Sequence, residues 1–382
     1  MTHTRYLQID ETSSYRRLIG IGGVGAGIFF KLAGDETLGR NESRLGTLLD
    51  VRDYCKLHIV IHYIAKLLGA GIGRPAFGVI PIAKVGDDPT GQRLIDEMHD
   101  AGMDTSYVQR VAGSPTLFSV CFQYPDGTGG NITTDNSAAA LLSNADIDSI
   151  RDLLQGGGPH SIALAVPEVP LEVRQYFLEA ATRSGAFRAA SFAAAEVKPA
   201  LKAGMFSLLD LVALNEEEGE AFVGCTFSPQ SPEKFVRSCQ ELLRSSFSGL
   251  RVVVSAGKLG AYGITAQASA FSPAHPVEVM STAGAGDSLL GGVLVGLALG
   301  MPFVSSEGKS SQMVDSALQL GVLLGSLKCL SPHTIHPGAS LNALIEFAAQ
   351  RGITFSVGLQ RRFADLKPSQ TADHVPRSLT SA

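Results

Sequence analysis

Paired cysteines are what this chain most plainly lacks. Its five cysteines, Cys55, Cys121, Cys225, Cys239 and Cys329, stand singly, without a CxxC pair or the Cys/His spacing of a metal site. That excludes a disulfide framework and leads to the expectation of reduced thiols in a cytoplasmic protein. An excess of basic residues is missing too. Thirty-one Lys and Arg against 36 Asp and Glu give a net charge of −5, which argues against a nucleic-acid partner. No apolar run reaches the ~20 residues of a membrane span. The longest, Leu289 to Val304, is broken by four glycines and a proline and reads as a buried helix, so no membrane partner is expected. The opening stretch MTHTRYLQIDETSSYRR has no apolar segment of the signal-peptide kind. A Walker A loop is also absent. Gly34 to Asn41 lacks the Lys and the Ser/Thr, and Gly308-Lys309-Ser310 lacks the upstream glycine.

What is present is a core-forming composition, with 45% apolar and 18% charged residues among 382. Forty-two glycines suit tight strand–helix turns and backbone-lined ligand sites. Short apolar strands alternate with helix-length segments: 18–22, 77–85, 161–166, 208–214 and 251–255 read as strands, and 57–69, 92–101, 170–184, 287 onward, 312–328 and 340–350 as helices. That order predicts an α/β fold, a mostly parallel sheet between two helix layers. Residues 106–134, with a Pro125-Asp126-Gly127 turn, read as a small antiparallel β section, a candidate lid. The expected organisation is one domain over 1–355, with lid strands within about 5–45 and 106–134, and a polar tail over 356–382.

The strongest local signal is Ser281-Thr282-Ala283-Gly284-Ala285-Gly286-Asp287, followed at once by an apolar helix. Unpaired N–H groups at a helix N-terminus, with the helix dipole behind them, bind anionic oxygen. A carboxylate in the first turn beside that anion hole is placed to take a proton from an attacking hydroxyl. Phosphoryl transfer needs positioning, charge stabilisation and such a base. The competing reading of the same residues is a tight turn with a dipole-matching acid.

This segment resembles the C-terminal signature of the ribokinase-like, or PfkB-type, carbohydrate kinases. Three further segments match the family pattern in order: Val85-Gly86-Asp87-Asp88-Pro89-Thr90-Gly91, Asn215-Glu216-Glu217-Glu218, and Val252 to Ala261. The resemblance covers roughly residues 18 to 350. It implies a ribokinase-like three-layer α/β/α sandwich with a small β lid, and ATP-dependent transfer of the γ-phosphoryl to an alcohol group of a small acceptor. Asp287 would be the base, with Gly284, Ala285 and Gly286 as the anion hole. Asn215, Glu218, Ser255, Gly257, Gly260 and Thr282 would serve the nucleotide. Mg2+ would be held by Glu218 through water. A homodimer is common in the family.

The departures lie on the acceptor side. The family's Gly-Gly-x-x-x-Asn stretch is replaced by Tyr54-Cys55-Lys56-Leu57-His58-Ile59. Before it lies an unusual charged stretch from Gly34 to Arg44. Asp35, Arg40 and Asn41, with Asn131 from the β section, are the acceptor candidates; Glu42, Arg52, Asp53 and His58 are other polar groups of that region. Ser281 stands where the family usually has an Asp that helps hold a monovalent cation, which puts dependence on such an ion in doubt. Three other readings remain at this point. They are a nucleoside kinase of the same fold, a non-catalytic ligand-binding protein on it, and an NAD-dependent dehydrogenase suggested by Gly20-x-Gly22-x-x-Gly25. The sequence does not name the acceptor: sugar, sugar acid or nucleoside.

Overall fold

The structure, a computed structural model, describes residues 5–73, 75–125, 129–305 and 312–365. Its main sheet has nine strands. From one edge they run Ser269–Pro273, Gly260–Ile264, Arg251–Ser255, Leu211–Leu214, Phe187–Ser191, Ser161–Ala165, Arg17–Ile21, Gly78–Gly86 and Val108–Val111. All pairings from Arg251–Ser255 to Val108–Val111 are parallel, and the two strands at the other edge are antiparallel.

Period-two alternation sends successive side chains to opposite faces. Leu18, Val79, Ile162 and Val253 enter one core, with the helices Lys56–Leu68, Ala285–Ala298 and Ala317–Lys328. Ile19, Ile80, Ala163 and Val252 enter the other, with Leu171–Ser184, Ala194–Lys202 and Pro232–Ser246. Both faces are therefore covered, as a parallel sheet requires. Nearly every residue of Ala285–Ala298 after Asp287 is buried, so the helix that starts at the signature motif runs through the core and cannot shift its N-terminus freely.

A second sheet of four strands, ordered Gly46–Tyr54, Gly25–Leu32, Leu117–Gln123 and Gly129–Thr133, sits beside the first. This differs from the expected lid boundaries. Val108–Val111 extends the main sheet alongside Gly78–Gly86, and Gly46–Tyr54, outside the expected 5–45, supplies an edge strand. Its alternation was masked because charged residues occur on one face, Asp50 and Arg52, and a carboxylate on the other, Asp53. Part of the Pro125-Asp126-Gly127 turn lies outside the described residues. So does Gly308-Lys309-Ser310. The tail begins later than 356: Phe363–Asp365 pairs antiparallel with Arg5–Leu7, and an Arg5–Asp365 ion pair closes it at 2.8 Å. Residues 366–382 of the expected tail lie outside the described residues.

Candidate active site

The signature turn is built as a helix start. Gly284 is the N-cap of Ala285–Ala298 with φ +80°, a backbone region that side chains rarely adopt. A Cβ there would also come within 2.4 Å of the Thr334 carbonyl oxygen. The Ala285 N–H turns back onto Thr282 O at 3.0 Å. Gly286 and Asp287 are then the first N–H groups left without an intrahelical partner. Asp287 lies in this first turn with a 15% exposed side chain.

Two clefts meet at Asp287. The first, about 330 Å3, lies between this turn and the smaller sheet and is lined by Phe29, Asp53, Ser119, Asn131, Glu168 and Thr282 among others. The second, about 240 Å3, opens over the ends of the parallel strands and is lined by Asn215, Glu218, Ser255 and Gly286 among others. Lys56, Gly284 and Asp287 belong to both. The position is the one expected of an open parallel sheet, beyond the carboxyl ends of the strands.

Three charged side chains converge here that the sequence reading did not single out as site residues. Lys56 opens the helix Lys56–Leu68, and its Nζ lies 3.8 Å from Asp287 Oδ1. The Asp287 charge, and more weakly those of Glu168 and Glu218, push the Lys56 ammonium above its ordinary pKa against the effect of burial. Glu168 follows the strand Ser161–Ala165 with φ +77°. Its Oε2 accepts the Lys56 backbone N–H at 2.9 Å, so it caps the Lys56 helix from a distant loop. Burial pushes the Glu168 carboxyl up to about 7, opposed by Lys56. Asp53 is 7% exposed. Its Oδ2 accepts from Ser119 Oγ at 2.8 Å and from Cys121 Sγ at 3.5 Å. Burial raises the Asp53 carboxyl's pKa and those hydrogen bonds oppose the rise. Gly27 lies opposite Asp53 in the ladder, and a Cβ on it would come within 2.2 Å of Asp53 Oδ2. The one signal available for Asp53 was its place in the charged region; Glu168, between Pro167 and Pro170, gave none.

The expected residues fall into groups. Asp287, Gly284 and Gly286 are brought together with Asn215, Glu218 and Ser255 around the second cleft. Thr282, expected on the nucleotide side, lines the first cleft instead, as does Asn131. Gly257 and Gly260 bracket the short turn after Arg251–Ser255 and do not line either cleft. Asp35, Arg40 and Asn41 are exposed on the connection between Gly25–Leu32 and Gly46–Tyr54 and line neither cleft. Arg52 and His58 line a separate cavity behind the strand Gly46–Tyr54.

Asn215 and Glu218 form a reciprocal capping box. Asn215 Oδ1 accepts the Glu218 N–H and Glu218 Oε2 accepts the Asn215 N–H, both at 2.8 Å. Burial raises the pKa of Glu218 as well. Glu218 and Asp287 give the second cleft two carboxylates, with the Asn215 amide between strand and helix. Such hard oxygen donors suit a Mg2+ ion that keeps most of its water. A monovalent cation fits less well under the turn, because the Ser281 carbonyl oxygen already accepts from the Lys328 ammonium at 2.9 Å.

The dinucleotide fingerprint loses its context. Gly20 and Gly22 end a main-sheet strand, but the next element is the strand Gly25–Leu32 of the smaller sheet, where the fingerprint requires a helix. The glycines allow close packing instead: a Cβ at Gly25 would lie 2.3 Å from the carbonyl oxygen of Leu117, its partner in the smaller sheet.

The fold is of the ribokinase-like class, a mostly parallel sheet between two helix layers, with the helix start at Gly284 beyond the carboxyl ends of its strands. Residues 63–340 match the model of the "pfkB family carbohydrate kinase", and the chain belongs to that family. It is 26% identical to the ribokinase of Staphylococcus aureus (strain COL) over 247 residues, 64% of this chain and 74% of that one. It is 26% identical to the 2-dehydro-3-deoxygluconokinase of Bacillus subtilis (strain 168) over 323 residues, 79% and 92%. The ribokinase from Cryptococcus neoformans var. grubii serotype A, solved in complex with ADP, superposes with a TM-score of 0.67 at 20% identity, covering 87% of this chain and 99% of that one.

Proposed function

We propose that this protein transfers the γ-phosphoryl of ATP to a hydroxyl of a small polyhydroxylated acceptor, a sugar or sugar acid, with Asp287 as the base. The observation that carries this reading is the shared wall: Asp287 belongs to both clefts. ATP lies in the second cleft and the acceptor in the first. As the acceptor oxygen bonds to phosphorus, its proton passes to an Asp287 carboxylate oxygen. The bond from phosphorus to the bridging oxygen breaks, and ADP leaves. The N–H groups of Gly286 and Asp287 and the Lys56 ammonium face the charge that develops on the phosphoryl oxygens. Glu218 would hold a Mg2+ ion through water, and that ion would supply charge neutralisation to the phosphates. Asp53 accepts hydrogen bonds from acceptor hydroxyls, and Asn131 closes the first cleft from the smaller sheet, which acts as a lid that excludes water.

The lid also has an outer face with exposed apolar side chains, Leu48 at 58% and Ile132 at 72%. Covering them is the simplest role for a homodimer. No helix of the described residues is long and apolar enough to cross a membrane, and a cytoplasmic site suits the ATP supply and five free thiols.

A nucleoside acceptor is the second reading, favoured by Phe29, which shares the cleft face of the smaller sheet with Cys121 and Asn131 and offers a base a stacking surface. The deciding experiment is ADP release from Mg-ATP against sugars, sugar acids, sugar phosphates and nucleosides in parallel. A sugar or sugar acid stimulating release, with nucleosides inert, supports the first reading. Stimulation by nucleosides alone replaces it with the second, and release that no acceptor alters removes both.

A further inference from the structure

A buried ammonium lies under the signature turn. Lys328 ends the helix Ala317–Lys328 and is 0% exposed. Among the described residues no carboxylate pairs with it. Its Nζ donates instead to two backbone carbonyls, Ser281 O at 2.9 Å and Ser331 O at 3.5 Å. Burying an unpaired charge is costly. Burial lowers its pKa from 10.5 to about 8, opposed by electrostatic interaction with Cys329, Asp287 and Asp53; oxygen from two loops and the negative end of its own helix further offset the cost.

Each carbonyl leads to one half of the site. Ser281 begins the signature turn. Its Oγ accepts the Ala283 N–H at 3.2 Å, and the next residue's carbonyl accepts the Ala285 N–H at 3.0 Å. Ser331 leads the other way. Its Oγ accepts the His333 N–H at 3.2 Å. Thr334 then donates its N–H to Arg52 O at 3.2 Å and accepts the Tyr54 N–H on Oγ1 at 2.9 Å. Those two residues flank Asp53. The ammonium thus ties the turn that carries Asp287 to the loop that holds the Asp53 strand.

We propose that Lys328 is a built-in cation, a positioning residue that holds the signature turn and makes the protein independent of monovalent metal ions. The claim about turnover rests on the kinase reading; the claim about the cation site does not. Its test compares the protein with Lys328→Ala in K+, Na+ and tetramethylammonium chloride at constant ionic strength. The first readout is melting temperature without ligands. The expected result is no difference among the salts for the parent, and a rise specific to K+ for Lys328→Ala, where the small ion enters the vacated place and tetramethylammonium is too large. The second readout is acceptor-dependent ADP release. The parent should vary less than about twofold among salts. Lys328→Ala should lose about tenfold or more in kcat, recovered by K+ and not by tetramethylammonium.

A parent stabilised or stimulated about tenfold by K+ overturns the proposal, as does a folded Lys328→Ala that turns over like the parent in every salt. Should Lys328→Ala fail to fold, the parent's response to the salts decides alone. If the parent releases no ADP with any acceptor, the kinase reading fails while the melting comparison still decides the cation site.

Discussion

The two clefts that meet at Asp287 are built in different ways. The cleft proposed for the phosphates comes from contiguous segments: Gly284 to Asp287 in one turn, Asn215 to Glu218 in another. Its chemistry belongs to backbone N–H groups and first-turn acids, which need a particular local conformation and so a particular run of residues. The cleft proposed for the acceptor is assembled from Asp53, Ser119, Asn131 and Glu168, single side chains from separate strands and loops, with Lys56 shared between the two clefts. Each does its work through its head group, and the surrounding sequence is free to vary. On the proposed assignment, transfer chemistry is recorded in motifs and acceptor choice in tertiary placement.

Substitutions sharpen this contrast. The largest effect is expected at the junction. Asp287→Asn should lower kcat about 10²- to 10⁴-fold, with ATP binding and melting temperature nearly unchanged, measured by steady-state kinetics beside a melting curve. A loss confined to KM would move the base elsewhere. Next, Asp53→Asn should raise the acceptor KM about ten- to a hundredfold and leave that for ATP alone. Equal effects on both substrates would dissolve the division between the clefts.

Glu168 gives a smaller, pH-dependent effect. Its folded pKa, raised from 4.5 to about 7, means the folded protein holds this proton more tightly than the unfolded chain. The stability it contributes is complete below 4.5 and lost as pH rises through about 7. Glu168→Gln keeps an acceptor for the Lys56 N–H but cannot ionise. Its melting temperature should therefore gain on the parent by a few degrees between about pH 5 and pH 8. A constant difference across that range would mean Glu168 does not titrate there. The smallest effect is expected on the exposed connection. Asp35→Ala and Arg40→Ala should change kcat and KM less than about twofold, and a larger change would bring that segment into the acceptor site.

The same contrast governs how far the sequence could be read. Apolar runs placed five of the nine main-sheet strands among the described residues, because burial on both faces leaves near-continuous apolar stretches; the central strand Phe187–Ser191, interrupted by Arg188, was not among them. The helix start at Gly284 was legible from three small residues and an acid. Gly46–Tyr54 was not. It is an edge strand with a cavity on either side, so polar residues fall on both of its faces and the period of two loses its apolar signal. That is why Asp35, Arg40 and Asn41 stood out while Asp53, nine residues past Arg44, gained no priority. Charge density marked the exposed loop, and burial, which gives Asp53 its interest, is not written in residue type. Lys56 and Glu168 meet only because a loop after one strand caps a helix that follows another, and nothing local to either residue announces it.

On the proposed reading one carboxylate, Asp287, serves two clefts, one for ATP and one for a hydroxyl acceptor. The most direct test follows the γ-phosphoryl from labelled Mg-ATP, with the acceptor that stimulates ADP release, in the parent and in Asp287→Asn. The account predicts one phosphorylated acceptor for each ADP in the parent, and almost none in a variant that still binds ATP. Label released as inorganic phosphate regardless of acceptor, or transfer undiminished in Asp287→Asn, would contradict it.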